Sequence, residues 1–234
     1  WPLTKDIPKP LLEVKGRPIV EHIIAGIAEI PDVDEIFIVA NAKFYPRFEE
    51  WLLEARTRFQ LPIKLVNDGT VSNDDRLGQV GDINFVLEKE KVDDDLLVVA
   101  GDNLFNFSLL PAYEAFSQHR RILNPLYESK SYKAARESGS VVTDEATGEF
   151  AEFLEKSPTP KSTLISLGIY FFPKQKLQLI KKYVSEKNNP DKMGYFIMWL
   201  MQREPVMGHV YVEKWFDIGW IEALEAARKE FEPK

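Results

Sequence analysis

Leu96-Leu97-Val98-Val99-Ala100, followed at once by Gly101-Asp102-Asn103, decides how this chain folds. An apolar run with no polar break is the signature of a strand covered on both faces, because successive side chains point to opposite sides and both sides must then be dry. Strands of that kind form the interior of α/β sheets, whose ligands bind beyond the carboxyl ends of the strands. Asp102, immediately past the run, therefore stands where a ligand or a metal is expected.

Upstream, strands and helices alternate. Val20, Ile23, Ile24 and Ile27 recur at helical spacing, so 17–30 reads as an amphipathic helix, and Glu35 to Ala40 as a short strand. Phe44, Phe48, Trp51, Leu52, Ala55 and Phe59 mark a second helix, with Pro46 tolerated in its first turn. A strand over 61–66 and a helix over 77–91 lead to the apolar run. The alternation predicts an α/β fold with a doubly wound, mostly parallel sheet. Beyond residue 135 the pattern becomes a series of strands, at 139–144, 149–156 and 164–172. Helices at 174–186 and 194–203, a strand at 208–216 and a terminal helix from about 220 follow. With no long linker, the 234 residues read as one domain with a first half, to about 135, and a second half from about 136.

Composition excludes several classes. The formal charge of −7 argues against a nucleic-acid partner, so an anionic ligand has to be met by local cations or a divalent metal. No stretch reaches the roughly 20 apolar residues of a membrane span. The absence of Cys removes disulfide and thiolate chemistry and makes a cytoplasmic location the default expectation. His22, His119 and His209 match no metal-ligand spacing, and no Ser-His-Asp order falls on strand ends.

Two carboxylates stand out. Asp102 follows one strand, and Asp217, in Trp215-Phe216-Asp217-Ile218-Gly219, ends another just before the last helix. Two strand-end carboxylates suit a hard cation such as Mg²⁺, which takes oxygen ligands and keeps sites for phosphate. A turn aspartate at 102 and a helix cap at 217 are the structural alternatives. The chain opens on Trp1-Pro2-Leu3-Thr4-Lys5-Asp6-Ile7-Pro8-Lys9-Pro10-Leu11. Each proline fixes φ, and Pro10 is expected to keep Lys9 extended, holding one cation at a fixed point, as phosphate binding requires.

These three segments, in this order, resemble the sugar-1-phosphate nucleotidylyltransferases, whose signature runs Gly-x-Gly-Thr-Arg-Leu-x-Pro-Leu-Thr and then Pro-Lys-Pro-Leu, with Gly-Asp-Asn and Trp-x-Asp-Ile/Val-Gly following. The likeness covers positions 1 to about 225. It implies a Rossmann-like mixed sheet in a three-layer α/β/α arrangement, of the nucleotide-diphospho-sugar transferase type. The glycine-rich half of the signature is absent ahead of Pro2, and residue 1 is Trp, so a strand and that loop are expected upstream of residue 1 in the whole protein. A chain starting at Trp1 is expected to be poorly active.

The resemblance assigns Lys9 to the nucleotide phosphates and Asp102 and Asp217 to the metal, Mg²⁺. Gly101, Leu77, Gly78 and Gln79 would face the nucleotide through their backbone, and Asn67, ending a strand, is the candidate for reading the base. The run Ser72-Asn73-Asp74-Asp75-Arg76 departs from the Pro-Asp-Gly of thymidylyltransferases, so base preference does not carry over. Glu155-Lys156 matches Glu-Lys-Pro, the glutamate binding sugar hydroxyls and the lysine the sugar phosphate, with Ser157 in place of the proline. Gly139 matches the glycine of Tyr-Gly-Val-Val. Gly168 and Tyr170 match the strand lining the sugar pocket, although Tyr170 fits a core equally well.

The expectation is transfer of a nucleotidyl group from an NTP, dTTP or UTP by default, to a sugar 1-phosphate, by default glucose 1-phosphate. A cytidylyltransferase acting on phosphocholine and a non-catalytic nucleotide-binding homologue are the alternatives; Gly-x-Gly-Thr-Arg-Leu upstream would favour an enzyme. Homo-oligomerisation stays open.

Overall fold

The computed structural model of the chain describes residues 6–72 and 74–233. Trp1 to Lys5, at the head of the proline-braced segment, and Asn73 lie outside the described residues. The order is β1 (Glu13–Val14), β2 (Arg17–Pro18), α1 (Ile19–Ile27), β3 (Ile36–Ala40), α2 (Tyr45–Ala55), β4 (Ile63–Asn67), α3 (Gln79–Lys89) and β5 (Leu96–Val99). Then come β6 (Asn103–Phe105), α4 (Leu110–His119), β7 (Ile122–Glu128), α5 (Tyr132–Glu137), β8 (Gly139–Thr143) and β9 (Phe150–Glu155). The chain continues through β10 (Leu164–Ser166), β11 (Ile169–Phe172), α6 (Gln178–Ser185), α7 (Met193–Met201), β12 (Val206–Tyr211), β13 (Trp215–Asp217) and α8 (Ile221–Glu230). Contacts gather these elements into two units. One contains the residues up to Leu77, Gly101–Leu109 and the chain from Lys214 onward; the other contains Gly78–Ala100 and Leu110–Glu213.

In the first unit β3 and β4 pair in parallel, from Ile36↔Ile63 to Ala40↔Asn67. Val20 and Ile24 on α1 and Phe48, Trp51, Leu52 and Ala55 on α2 bury the stripes that the sequence spacing predicts. Each large apolar side chain buried in this way contributes on the order of 2 kcal/mol. The buried Glu21 is satisfied by Trp51 Nε1, which donates at 3.0 Å, and by the Arg58 guanidinium at 3.0 Å. Such a carboxylate would be costly without partners. β6 and β13 form a separate antiparallel ribbon in this unit, in the register Trp215↔Phe105, Phe216↔Leu104 and Asp217↔Asn103.

The second unit holds a seven-stranded mixed sheet ordered β5-β11-β7-β10-β8-β9, with β12 on the other edge of β7. Here the structure corrects the expectation of a mostly parallel sheet. Among the described residues of this unit, β7 and β12 are the parallel pair, and the remaining pairings are antiparallel. Beyond α5, the turn over 144–149 reverses the chain between β8 and β9, where a helical crossover would keep the two strands parallel. A second correction concerns the apolar run: β5 is the outermost strand of this unit's sheet, and Leu96 to Val99 are half-buried, whereas Ile169 to Phe172 on β11 are fully buried. The predicted strand over 164–172 is two strands, interrupted at Leu167-Gly168, and the one over 208–216 is also two.

The interruption has a local cause in β7, which carries Asn124-Pro125 in its middle. Pro125 has no N–H for the ladder. Asn124, with no solvent exposure, fills in: its Nδ2 donates to the carbonyls of Leu167 at 2.9 Å and Ile169 at 2.8 Å. Its Oδ1 accepts from Ser166 Oγ at 2.6 Å. Leu167 N donates to Pro125 O at 3.0 Å, so the chain bulges around the proline and β10 and β11 flank the gap along one edge of β7.

Candidate active site

The proline-braced lysine lies in a turn. Lys9–Leu11 is a single 3-10 turn closed by Leu11 N to Pro8 O and Leu12 N to Lys9 O, both 3.0 Å. This corrects the expectation that Pro10 holds Lys9 extended. Pro8, at φ −68° and ψ 148°, carries the extended geometry, and Pro10 sits inside the turn. The result is still one conformation for the backbone beneath Lys9. Its Nζ reaches across 93 positions of sequence to Asp102 Oδ2 at 2.9 Å. The two side chains keep 35% and 32% of their surface exposed, so both remain accessible from solvent.

Asp102 and Asp217 are backbone neighbours at the end of the β6–β13 ribbon. Asp217 faces Asn103 across the ladder, and Ile218 N donates to Asp102 O at 2.9 Å, so the aspartates occupy adjacent ladder positions. The other residues of the two motifs hold that register. Trp215 Nε1 donates to Asn103 Oδ1 at 2.7 Å, joining the asparagine of Gly-Asp-Asn to the tryptophan of Trp-x-Asp-Ile-Gly. Asn103 is 3% exposed, so that bond is the indole's answer to a buried acceptor. Ile218, buried, anchors the strand's exit, while Asp217 itself is exposed. The Asp217 carboxylate lies back toward Gly219, ahead of α8. Gly101 is also explained here: a Cβ at that position would come within 2.8 Å of Pro10 Cγ, so the proline turn rests directly on its backbone.

The donor set fits a hard divalent cation. The two carboxylates would supply oxygen ligands, the number Mg²⁺ ordinarily takes from protein when phosphates and waters complete its shell. Among the described residues no group of three or more His, Asp or Glu side chains converges, so a cation here would take the rest of its ligands from solvent and substrate.

The nucleotide-side candidates divide between the units. Asn67, Leu77 and Gly101 belong to the first, Gly78 and Gln79 to the second. Asn67 ends β4, and its Oδ1 accepts from Gly69 N at 2.8 Å, closing an Asx turn. Beyond it, the Asp75 carboxyl is held below the usual carboxylate range by the N–H groups of Val71 and Ser72 and the Ser72 hydroxyl. Gly78 has φ +78°, and a Cβ there would meet the Asp191 backbone at 2.6 Å. Gln79 Oε1 accepts from Met193 N at 2.9 Å, tying the start of α3 to the start of α7.

All the acceptor-side candidates lie in the second unit. Glu155 ends β9 opposite Gly139, and its carboxylate packs over Gly194 in the first turn of α7. A Cβ on Gly139 would meet the Phe153 ring at 2.5 Å, so packing alone demands glycine there. Lys156 adopts φ 48°, an uncommon conformation for a residue with a side chain, and its N donates to Ser138 O at 3.0 Å. Gly168 lies in the bulge, its carbonyl accepting from Ala100 N at 2.7 Å. Tyr170 is core and candidate at once. Burial, opposed by a hydrogen bond with Ser166 and reinforced by the negative charge of Glu155, pushes its phenol up to about 12. Asn124 and Ser166 support this wall and were not singled out from sequence. The signal for them was Asn-Pro inside an otherwise apolar segment.

The chain matches the nucleotidyl transferase family over residues 1–233. It is similar to the bifunctional protein GlmU of Methanocaldococcus jannaschii, with 30% identity over 218 residues, 93% of this chain and 48% of that protein. It is also similar to the mannose-1-phosphate guanylyltransferase regulatory subunit alpha of Homo sapiens, with 25% identity over 192 residues, 81% of this chain and 44% of that protein. The chain thus spans about half the length of the curated relatives it matches. Among solved structures, a Bacillus anthracis protein assigned as a glucose-1-phosphate thymidylyltransferase superimposes with a TM-score of 0.81 at 20% identity, over 97% of this chain and 88% of that one. UDP-glucose pyrophosphorylase bound to UDP-glucose superimposes with a TM-score of 0.77 at 17% identity, over 97% of this chain and 91% of that one. Both share the fold: mixed α/β, of the nucleotide-diphospho-sugar transferase type.

Proposed function

This chain belongs to the nucleotidyl transferase family, and we propose that it moves a nucleotidyl group from a nucleoside triphosphate to a sugar 1-phosphate, releasing pyrophosphate, with Mg²⁺ as its cation. The observation that carries this reading is the β6–β13 ribbon, which brings Asp102 and Asp217 to adjacent ladder positions with Lys9 on one of them.

A phosphate oxygen of the sugar 1-phosphate forms the new bond to the α-phosphorus, and the bond from that phosphorus to the bridging oxygen breaks. The electron pair leaves with pyrophosphate, so no covalent enzyme intermediate is needed. Positioning and charge neutralisation are the whole of the protein's task in such a transfer. Asp102 and Asp217 would hold Mg²⁺, which would supply charge neutralisation at the reacting phosphates when bound. Lys9 meets the nucleotide's phosphates and Lys156 the acceptor's. Glu155 accepts from sugar hydroxyls, and Tyr170, its phenol at about 12, stays protonated at neutral pH as a donor. Asn67, Leu77, Gly78, Gln79 and Gly101 are assigned to the nucleotide, and Gly139 and Gly168 to the sugar.

Glucose 1-phosphate with dTTP or UTP is the pair proposed first, supported by the names of the solved proteins that share this fold. No helix among the described residues is long and apolar enough to cross a membrane, and the cytoplasm is the proposed compartment. The test is pyrophosphate release by the intact gene product over four nucleoside triphosphates and a set of sugar 1-phosphates, with CTP and phosphocholine as a further arm. Release with one triphosphate and a sugar 1-phosphate is expected. The similarity to a regulatory subunit favours a second reading, a nucleotide- or sugar-phosphate-binding homologue without turnover. Saturable binding of a nucleotide sugar with no pyrophosphate release from any pair would establish that reading and overturn the first.

A further inference from the structure

Lys9 and the proposed metal ion have the same target. The ammonium group takes Asp102 Oδ2 at 2.9 Å, and a divalent cation on that carboxylate would find a positive charge at hydrogen-bond distance from one of its ligands. The pair is two-thirds covered, on a turn and a ribbon with defined backbones, so the contact is not that of a lysine drifting over open surface. We propose that Lys9 is a placeholder cation. Without nucleotide it occupies Asp102 and weakens metal binding there; when a polyphosphate arrives, Lys9 transfers to the phosphate oxygens and leaves the carboxylate to the metal. This deepens the function proposed above and rests on Asp102 holding the metal.

The physical argument is charge balance. One carboxylate beside a lysine is already neutralised, and adding a divalent ion to the pair costs repulsion that it would not meet at an isolated carboxylate. A triphosphate or pyrophosphate brings enough negative charge to satisfy both cations, so metal and anion bind better together than either does alone. Free metal then leaves the site largely open to the lysine, and nucleotide loading sets when the cation is in place.

The counter-intuitive consequence is that deleting a positive charge from a phosphate-binding loop raises affinity for a metal. The probe is Mn²⁺, followed by its EPR signal on the protein without nucleotide. The variants are Lys9→Met, Lys9→Gln as a second form should the first unfold, and Asp102→Asn. Lys229→Met changes the net charge equally, at the last turn of α8. A partly exposed ion pair is worth up to about 1 kcal/mol, or roughly fivefold, and repulsion of a doubly charged ion adds to it. Lys9→Met and Lys9→Gln are therefore expected to bind Mn²⁺ at least about fivefold more tightly than wild type. Lys229→Met should match wild type, and Asp102→Asn should lose the ion. Equal or weaker Mn²⁺ binding in both Lys9 variants, with loss in Asp102→Asn, would overturn the placeholder role while leaving the metal site standing. Undiminished binding in Asp102→Asn, or no binding in any form, would overturn both.

Discussion

Pro10 rests on the backbone of Gly101: a Cβ placed at position 101 would stand 2.8 Å from Pro10 Cγ. The loop bearing Lys9 and the turn bearing Asp102 are thereby braced against each other one residue away from the groups that pair.

Gly101→Ala is expected to push the two apart and to lower kcat/KM by about tenfold or more, since small misplacements of positioned groups are costly. Removing the obstructing atom should undo this, so the double variant Gly101→Ala/Pro10→Ala is expected to recover most of the activity lost. Steady-state kinetics on the three forms checks it; a double variant slower than Gly101→Ala would show that the contact is not the cause.

The indole of Trp215 is the hydrogen-bond donor to the buried Asn103 Oδ1. Trp215→Phe keeps an aromatic ring and strands that acceptor, at a cost of about 1–3 kcal/mol in urea unfolding. Because the same bond sets the register of the ribbon, kcat is expected to fall too, with KM for the sugar 1-phosphate little changed. A stability loss without a loss in kcat would separate the bond from the site.

Asn124 Nδ2 donates to the carbonyls of Leu167 and Ile169 beside Pro125, which has no N–H to offer the ladder. Asn124→Ala should destabilise the protein by about 2–3 kcal/mol, and Ser166→Ala by about 1 kcal/mol. Both substitutions loosen the wall holding Gly168 and Tyr170, so KM for the acceptor should rise several-fold while KM for the nucleotide stays within twofold. Urea unfolding and the two KM values measure these effects.

Burial lowers the pKa of His22 from its ordinary 6.5, opposed in part by its Nε2–H bond to Val14 O. The fold therefore favours the neutral ring. Below pH 6.5 the unfolded chain takes up a proton that the folded one resists, so this group's contribution is intact above 6.5 and is lost as the pH falls from there toward the folded pKa. His209, also lowered by burial, acts in the same direction. Urea-unfolding free energies at pH 7.5 and 5.5 should show the loss, and His22→Gln should show a smaller one. An unchanged difference would remove His22 from the account.

Much of the first unit was legible because its elements declare themselves locally. The stripes of α1 and α2 and the apolar runs of β3 and β4 each read at one periodicity. The motif aspartates stood out for the same reason, each within a few residues. What escaped was non-local or atypical. β7, with partners on both edges, carries a proline that argues against a strand, and the compensation comes from the side chain of its own neighbour, Asn124. β6 is three residues, too short to show a period, and its pairing with β13, read from sequence as the end of one strand over 208–216, joins residues 112 positions apart. The antiparallel pairings of the second unit depend on turns whose partners no spacing reveals. Lys9 stood out in the sequence, but its 3-10 turn did not, because φ restriction at Pro10 was weighed without the bonds that close the turn.

The central claim is that Asp102 and Asp217 act through one shared cation. The most direct test is a double-mutant cycle in kcat/KM, using Asp102→Asn, Asp217→Asn and the pair together in the intact gene product. Each single change is expected to cost about 10²-fold or more, and the double variant should be no worse than the worse single, because the shared ion is already lost. Losses that multiply in the double variant, or a single variant that retains full activity, would contradict it.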